Sequence, residues 1–193
     1  SFSMMMSAER EREVAGLLRD FQRYFAELFE ARRAAPADDM LSDLVRSDGD
    51  EAPMSMNELL DMMSQLLTGG NDTTTGALAE GLLLLIRHPE EQARLRSDPA
   101  LIPNFTEEVL RLESPVQGLL RVTTCEVELG DTVIPEGAVV MCRYAAANRD
   151  EEAFTEADRF DVARPDADTH LAFGMGPHFC PGAMLARQEI SSA

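Results

Sequence analysis

A chain of 193 residues is long enough to bury one substantial core. Its formal charge of −18, with all 17 basic residues arginine, argues against nucleic acid or an anionic membrane surface as partner. Three cysteines, none in a CxxC spacing, leave an odd thiol and suit a reducing compartment without structural disulfides. The start, Ser1-Phe2-Ser3-Met4-Met5-Met6, is not a secretory signal, and the apolar stretch at Leu82–Ile86 is too short to cross a bilayer. A soluble, cytoplasmic protein without membrane contact is the expectation.

From Glu9 to Arg33, Val14, Leu17, Leu18, Phe21, Phe25, Leu28 and Phe29 recur at helical spacing, predicting an amphipathic helix in 1–33 with one face on a core. Residues 34–54 gather six carboxylates around Met40, Leu41, Leu44 and Val45, which reads as an acidic loop with a small helix. Ser55 and Glu58 fit a capping box that opens a long helix over 55–88, ended by Pro89. Segment 89–118 holds two helical patterns, Glu90–Ser97 and Pro103–Glu113. Short β-branched runs between turn signals at Gly130-Asp131 and Pro135-Glu136-Gly137 predict a small antiparallel sheet in 119–147. A loop-rich stretch from 148 leads to Cys180 and to a helical pattern from Gly182 to the end of the chain at 193. The expected class is mainly α with a small antiparallel β-sheet, and no internal repeat is visible.

Three constellations stand out. Thr68-Gly69-Gly70-Asn71-Asp72-Thr73-Thr74-Thr75 is a poor run for a helix interior, where a bulge or kink is expected; a solvated helix break is the plainer reading of it alone. Glu108 and Arg111 stand three apart on one helix face and can pair. Cys180 lies among glycines before a helix start, where Gly174 and Gly176 leave room for a flat cofactor and the helix dipole favours a thiolate. A lone cysteine is otherwise most often an inert buried thiol.

The ten residues Phe173-Gly174-Met175-Gly176-Pro177-His178-Phe179-Cys180-Pro181-Gly182 match every fixed position of Phe-x-x-Gly-x-His/Arg-x-Cys-x-Gly. That pattern is the haem-binding loop of the cytochrome P-450 family, which this chain resembles. The resemblance implies a partial P-450-like fold, the C-terminal half of a soluble bacterial-type member without the family's last strands. It makes Cys180 the proximal ligand of haem b (iron protoporphyrin IX), with Phe173, Gly174, Gly176 and Gly182 shaping the loop and His178 and Arg121 reaching haem propionates. Gly70, Asp72 and Thr73 resemble the family's oxygen-activation motif, with Asp72 the acid and Thr73 the alcohol of a proton relay.

Glu108 and Arg111 resemble the family's Glu-x-x-Arg brace. Ala157-Asp158-Arg159-Phe160 resembles the loop that completes it, with alanine where proline is usual, which makes Arg159 the third member and Arg164 a surface charge. His170 is read as near the haem edge or as a hydrogen-bonded structural residue, His88 as a helix-end residue, and Cys125 and Cys142 as small buried side chains. The implied activity is a haem-thiolate monooxygenase that oxidises a small organic substrate, with electrons from NAD(P)H through a ferredoxin or flavoprotein reductase. The rival reading is a truncated, non-catalytic fragment with little haem binding that self-associates through apolar faces. A thiolate-haem peroxygenase is disfavoured by the intact acid–alcohol pair.

Overall fold

A computed structural model describes residues 7–46 and 52–193; the readings at Ser1–Met6 and in the middle of the acidic loop lie outside the described residues. The chain divides into two compact units between Thr68 and Gly69.

In the first unit, helix α1 (Ala8–Ala34) starts where Ser7 Oγ accepts the Arg10 N–H. Glu9 and Glu11 in its first turn and Arg32 and Arg33 in its last suit the helix dipole. Phe29 is fully buried among Leu59 and Met63, with Phe21, Phe25 and residues of α2 (Met40–Val45) packed around them. The expectation of one continuous buried stripe is corrected at the N-terminal half of α1: Val14, Leu17 and Leu18 are 37%, 61% and 50% exposed. Within this unit, the buried cluster takes in only the second half of α1. Helix α3 (Met56–Arg87) opens with the predicted capping box. Ser55 Oγ accepts the Glu58 N–H at 3.3 Å, and Glu58 Oε2 accepts the Ser55 N–H at 2.8 Å.

The second unit begins within α3, whose later turns lead to α4 (Pro89–Ser97) and α5 (Ile102–Glu113). Pro89 both ends α3 and occupies the first turn of α4, where its missing N–H costs nothing. Leu84, Leu95, Val109, Leu112, Phe160 and Val162 form the main core of this unit. Four strands follow, β1 (Leu119–Val122), β2 (Val127–Leu129), β3 (Thr132–Ile134) and β4 (Val139–Cys142). The single expected sheet resolves into two separate antiparallel ribbons, β1 with β4 and β2 with β3.

The separation has a local cause. Thr123 Oγ1 donates to the Pro135 carbonyl at 2.6 Å and accepts the Ala138 N–H at 2.9 Å, closing the β1–β4 ladder before β2 begins. Gly118 sets the other end: a Cβ there would stand 2.4 Å from the Cys142 carbonyl oxygen. Both ribbons are largely exposed, and so are Cys125 and Cys142, against the expectation that these thiols are buried. Helix α6 (Tyr144–Ala147), a long irregular segment and α7 (Ala183–Ser192) complete the described chain.

Candidate active site

The loop before α7 is a tight return of the chain. The Cys180 N–H donates to the Phe173 carbonyl at 3.0 Å, and a short 3-10 turn, Gly176–His178, fills the interval. Gly174 and Gly176 have φ of +73° and +74°, a region that disfavours any side chain. Nothing within 4 Å would meet a Cβ at Gly176, so its requirement is conformational. Cys180 is a free, half-buried thiol, while Met175, Pro177, His178 and Phe179 are exposed beside it. The Cys180 carbonyl accepts the Ala183 N–H at the start of α7, one residue later than the expected helix start.

The acid–alcohol pair lies on α3. Asp72 is exposed, and half-buried Thr73 donates its hydroxyl to the Gly69 carbonyl at 2.6 Å. That bond satisfies the hydroxyl inside the helix, and α3 runs through this stretch as uninterrupted α-helix without the expected bulge. One turn on from Thr73, Ala77 is buried with Leu110 and Ile190, and Leu78, Ala172 and Phe173 pack against them. The Asp72–Thr73 segment is thereby one helical turn from the patch that meets the opening residues of the cysteine loop.

Glu108 and Arg111 are both fully buried. Glu108 accepts from Arg111 Nε at 2.7 Å and Nη2 at 3.0 Å, from Arg164 Nε at 3.0 Å and from the Asp161 N–H at 3.1 Å. Arg111 also donates to the carbonyls of Asn148 and Ala157, and its guanidinium lies 5.0 Å from the Phe154 ring centroid. The third ionic member is Arg164, which corrects the assignment to Arg159. Arg159 holds an exposed pair with Glu156 and contributes only its carbonyl, which accepts from Arg164 at 2.8 Å. A legible signal was missed: Phe160, Val162 and Arg164 alternate as buried residues while Arg159 and Ala163 face out.

Arg121 is exposed on β1 and donates to the neighbouring Leu120 carbonyl; His178 is exposed in the loop. His88 precedes α4, its ring 5.3 Å from that of Phe160. His170 is buried and hydrogen-bonded on both ring nitrogens, to Glu107 and to the Ala172 N–H. Burial pushes the Glu107 carboxyl up, but the hydrogen bonds from His170 and Arg187 outweigh it and hold it at about 2. Glu107, Arg187 and Asn148 had no role in the sequence reading.

The model of the family described as "Cytochrome P450" matches residues 2–193. The chain belongs to the cytochrome P450 family. Cytochrome P450 107B1 of Saccharopolyspora erythraea is 44% identical over 88% of this chain and 42% of its own length. The 6-deoxyerythronolide B hydroxylase of the same organism is 38% identical over 96% of this chain and 46% of its own length. Among solved structures, CYP109E1 from Bacillus megaterium in complex with corticosterone matches with a TM-score of 0.92 at 32% identity, covering 97% of this chain and 50% of that one. The fold is therefore that of a cytochrome P450 in part, and the chain spans about half the length of the relatives it matches.

The family implies haem, and the residues present suit it. A free thiol offers one soft ligand for iron. The positive-φ glycines present backbone without Cβ atoms, and exposed Met175 and Phe179 offer apolar surface to a flat macrocycle. Among the described residues, no helix is long and apolar enough to cross a membrane.

Proposed function

We propose that this chain is the cysteine-bearing half of a haem-thiolate monooxygenase that oxidises a small organic substrate, with electrons from NAD(P)H through a ferredoxin or flavoprotein reductase. The observation that carries the reading is the cysteine loop: a half-buried free thiol fixed by a backbone bond to Phe173 and framed by left-handed glycines. Cys180 would hold the iron, Gly174, Gly176 and Gly182 would keep side chains off the cofactor, and His178 and Arg121 would meet its propionates. Haem, when bound, supplies activation of dioxygen, with the thiolate as electron donor to the iron.

The remaining steps are proton handling. Asp72, open to solvent, takes up protons on its carboxylate, and Thr73 Oγ1 passes them inward. Neighbours on a helix point about 100° apart, so a water molecule completes the path between the two side chains. With its hydrogen given to Gly69, Thr73 Oγ1 presents lone pairs only; it must rotate out of that bond to donate. Exposed apolar residues on α1, β1 and β4 favour a second reading for the isolated chain, in which it self-associates and takes up little haem.

Titration of the chain with haem, followed by ultraviolet–visible spectra of the reduced form with and without carbon monoxide, tests the proposal. The expected result is a red-shifted thiolate-type band that Cys180→Ser abolishes. A band that survives the substitution would remove Cys180 as ligand, and no uptake would establish the second reading.

A further inference from the structure

Behind the cysteine loop lies a cluster of polar groups that the proposed chemistry does not use. Glu107 on α5 faces Arg187 on α7 and His170 in the segment leading to the loop. Its Oε1 accepts from Arg187 Nε at 2.6 Å, and its Oε2 accepts from Arg187 Nη2 at 3.0 Å. His170 Nε2 lies 3.1 Å from Glu107 Oε2, and its Nδ1 lies 3.1 Å from the Ala172 nitrogen. The Ala172 N–H can only donate, so Nδ1 is the bare nitrogen; Nε2 then carries the hydrogen and donates to Glu107. The tautomer is fixed from both sides.

The cluster acts on one ring. The Arg187 guanidinium lies 4.7 Å from the Phe173 centroid, and the His170 ring is 5.8 Å from it on a tilted approach. Phe173 is the residue whose carbonyl receives the Cys180 N–H. Just upstream, the Leu171 N–H donates to Asn148 Oδ1 at 2.7 Å, and Asn148 Nδ2 in turn donates to Ser114 Oγ at 2.8 Å. Residues 170–173 are therefore held along their length, while the loop beyond them, from Met175 to Phe179, is exposed.

We infer that Glu107, His170 and Arg187 are positioning residues that clamp Phe173 between α5 and α7 and so fix the backbone direction of Cys180. The geometry requires His170 to bridge: one ring nitrogen holds the loop backbone and the other holds the helix carboxylate. With either bond lost, the Leu171–Asn148 bond still holds the segment upstream, but nothing polar ties the stretch at Ala172 to the carboxylate on α5. The inference rests on the assignment of Cys180 as ligand for its functional meaning, though not for the contacts themselves.

The test uses the full-length haem-loaded protein and two variants that split the bridge. His170→Asn keeps an acceptor near Nδ1 and loses Glu107; His170→Gln keeps a donor near Nε2 and loses the Ala172 N–H. Both are expected to speed hydrogen exchange at the Cys180 amide about tenfold, since a buried polar group left unpaired favours local opening, while amides of the β1–β4 ladder keep their rates. In the same samples the reduced carbon monoxide form should lose its thiolate-type band faster.

Glu107→Gln added to His170→Asn should have less effect than it has alone, because the link is already cut. Arg187→Lys, which keeps the charge but loses the planar fork, gives a milder variant with the same direction of change if the histidine variants do not fold. Wild-type exchange at Cys180 in either histidine variant, or in Arg187→Lys where neither folds, would overturn the clamp. Absence of the thiolate-type band from the wild-type protein would instead overturn the proposed function, and the exchange comparison would still decide the clamp.

Discussion

Replacing Arg164 with alanine should unfold the second unit far more readily than replacing Arg159. Arg164 Nε donates to Glu108, Nη1 to the Thr155 carbonyl, and Nη2 to the carbonyls of Glu156 and Arg159. Its side chain is 6% exposed, and that of Glu108 is fully buried. Truncation leaves the Glu108 carboxylate with a single cation, removes the donor to the Thr155 and Glu156 carbonyls, and leaves the Arg159 carbonyl with only the longer bond from Arg111 at 3.4 Å. Removing one partner of a buried ion pair costs about 3–5 kcal/mol. With a urea slope of about 1–3 kcal/mol per molar for a domain of this size, the midpoint should fall by roughly 2 M. Arg164→Lys should recover only a minor part, because one ammonium cannot span the four acceptors. Arg159→Ala deletes a solvent-exposed guanidinium paired with Glu156 and leaves in place the carbonyl that Arg164 uses, so its midpoint should match wild type. Urea titrations followed by far-ultraviolet circular dichroism compare the variants directly. A loss for Arg159→Ala equal to or larger than that for Arg164→Ala would refute the assignment of the buried arginine.

Two other outcomes are expected. Gly118→Ala should lower the melting temperature and disturb the Leu119↔Cys142 end of the β1–β4 ladder, because the new methyl would meet a backbone oxygen at 2.4 Å and overpacking against backbone costs about 1–3 kcal/mol; an unchanged melt would show that the strand ends can separate freely. Glu107, with its carboxyl at about 2 against an ordinary 4.5, contributes stability that is fully present above pH 4.5 and is lost as pH falls from there toward 2. The stability difference between wild type and Glu107→Gln should therefore shrink across that window, and a constant difference would contradict the ion-pair origin of the shift.

What could be read in advance followed the range over which the forces act. The α3 boundaries came from a capping box and a proline, and the Glu108–Arg111 pair from helical spacing, all determined within a few residues. The cysteine loop was legible because its ten residues match a family pattern at every fixed position, and Gly174 and Gly176 stand where φ is positive. Arg159 was preferred to Arg164 because the resemblance weighed a local motif, whereas burial is decided by which side of an extended segment meets α5. The exposed half of α1 illustrates the same limit: periodicity says which face is apolar, and only the tertiary arrangement says whether anything covers it. Likewise α3 continues through Gly69-Gly70 and the threonine run without the expected bulge, with the Thr73 hydroxyl satisfied by the Gly69 carbonyl one turn back. The Glu107–His170–Arg187 cluster joins residues 63 and 80 positions apart, which no local pattern signals.

The brace around Glu108 also bears on time. Its first pair closes within one turn of α5, but the carbonyls that Arg111 needs lie 37 and 46 residues further on, and Arg164 is 56 residues from Glu108. Until that long segment docks, the pair stays in water, and burying it early would strand charge. The brace is therefore expected to assemble after the principal folding barrier rather than as part of the nucleus, which φ-value analysis of Arg164→Ala would check. Interactions made late leave the folding rate almost untouched and slow the return to the unfolded chain. On that expectation Arg164 governs how long a folded molecule lasts more than how fast it forms.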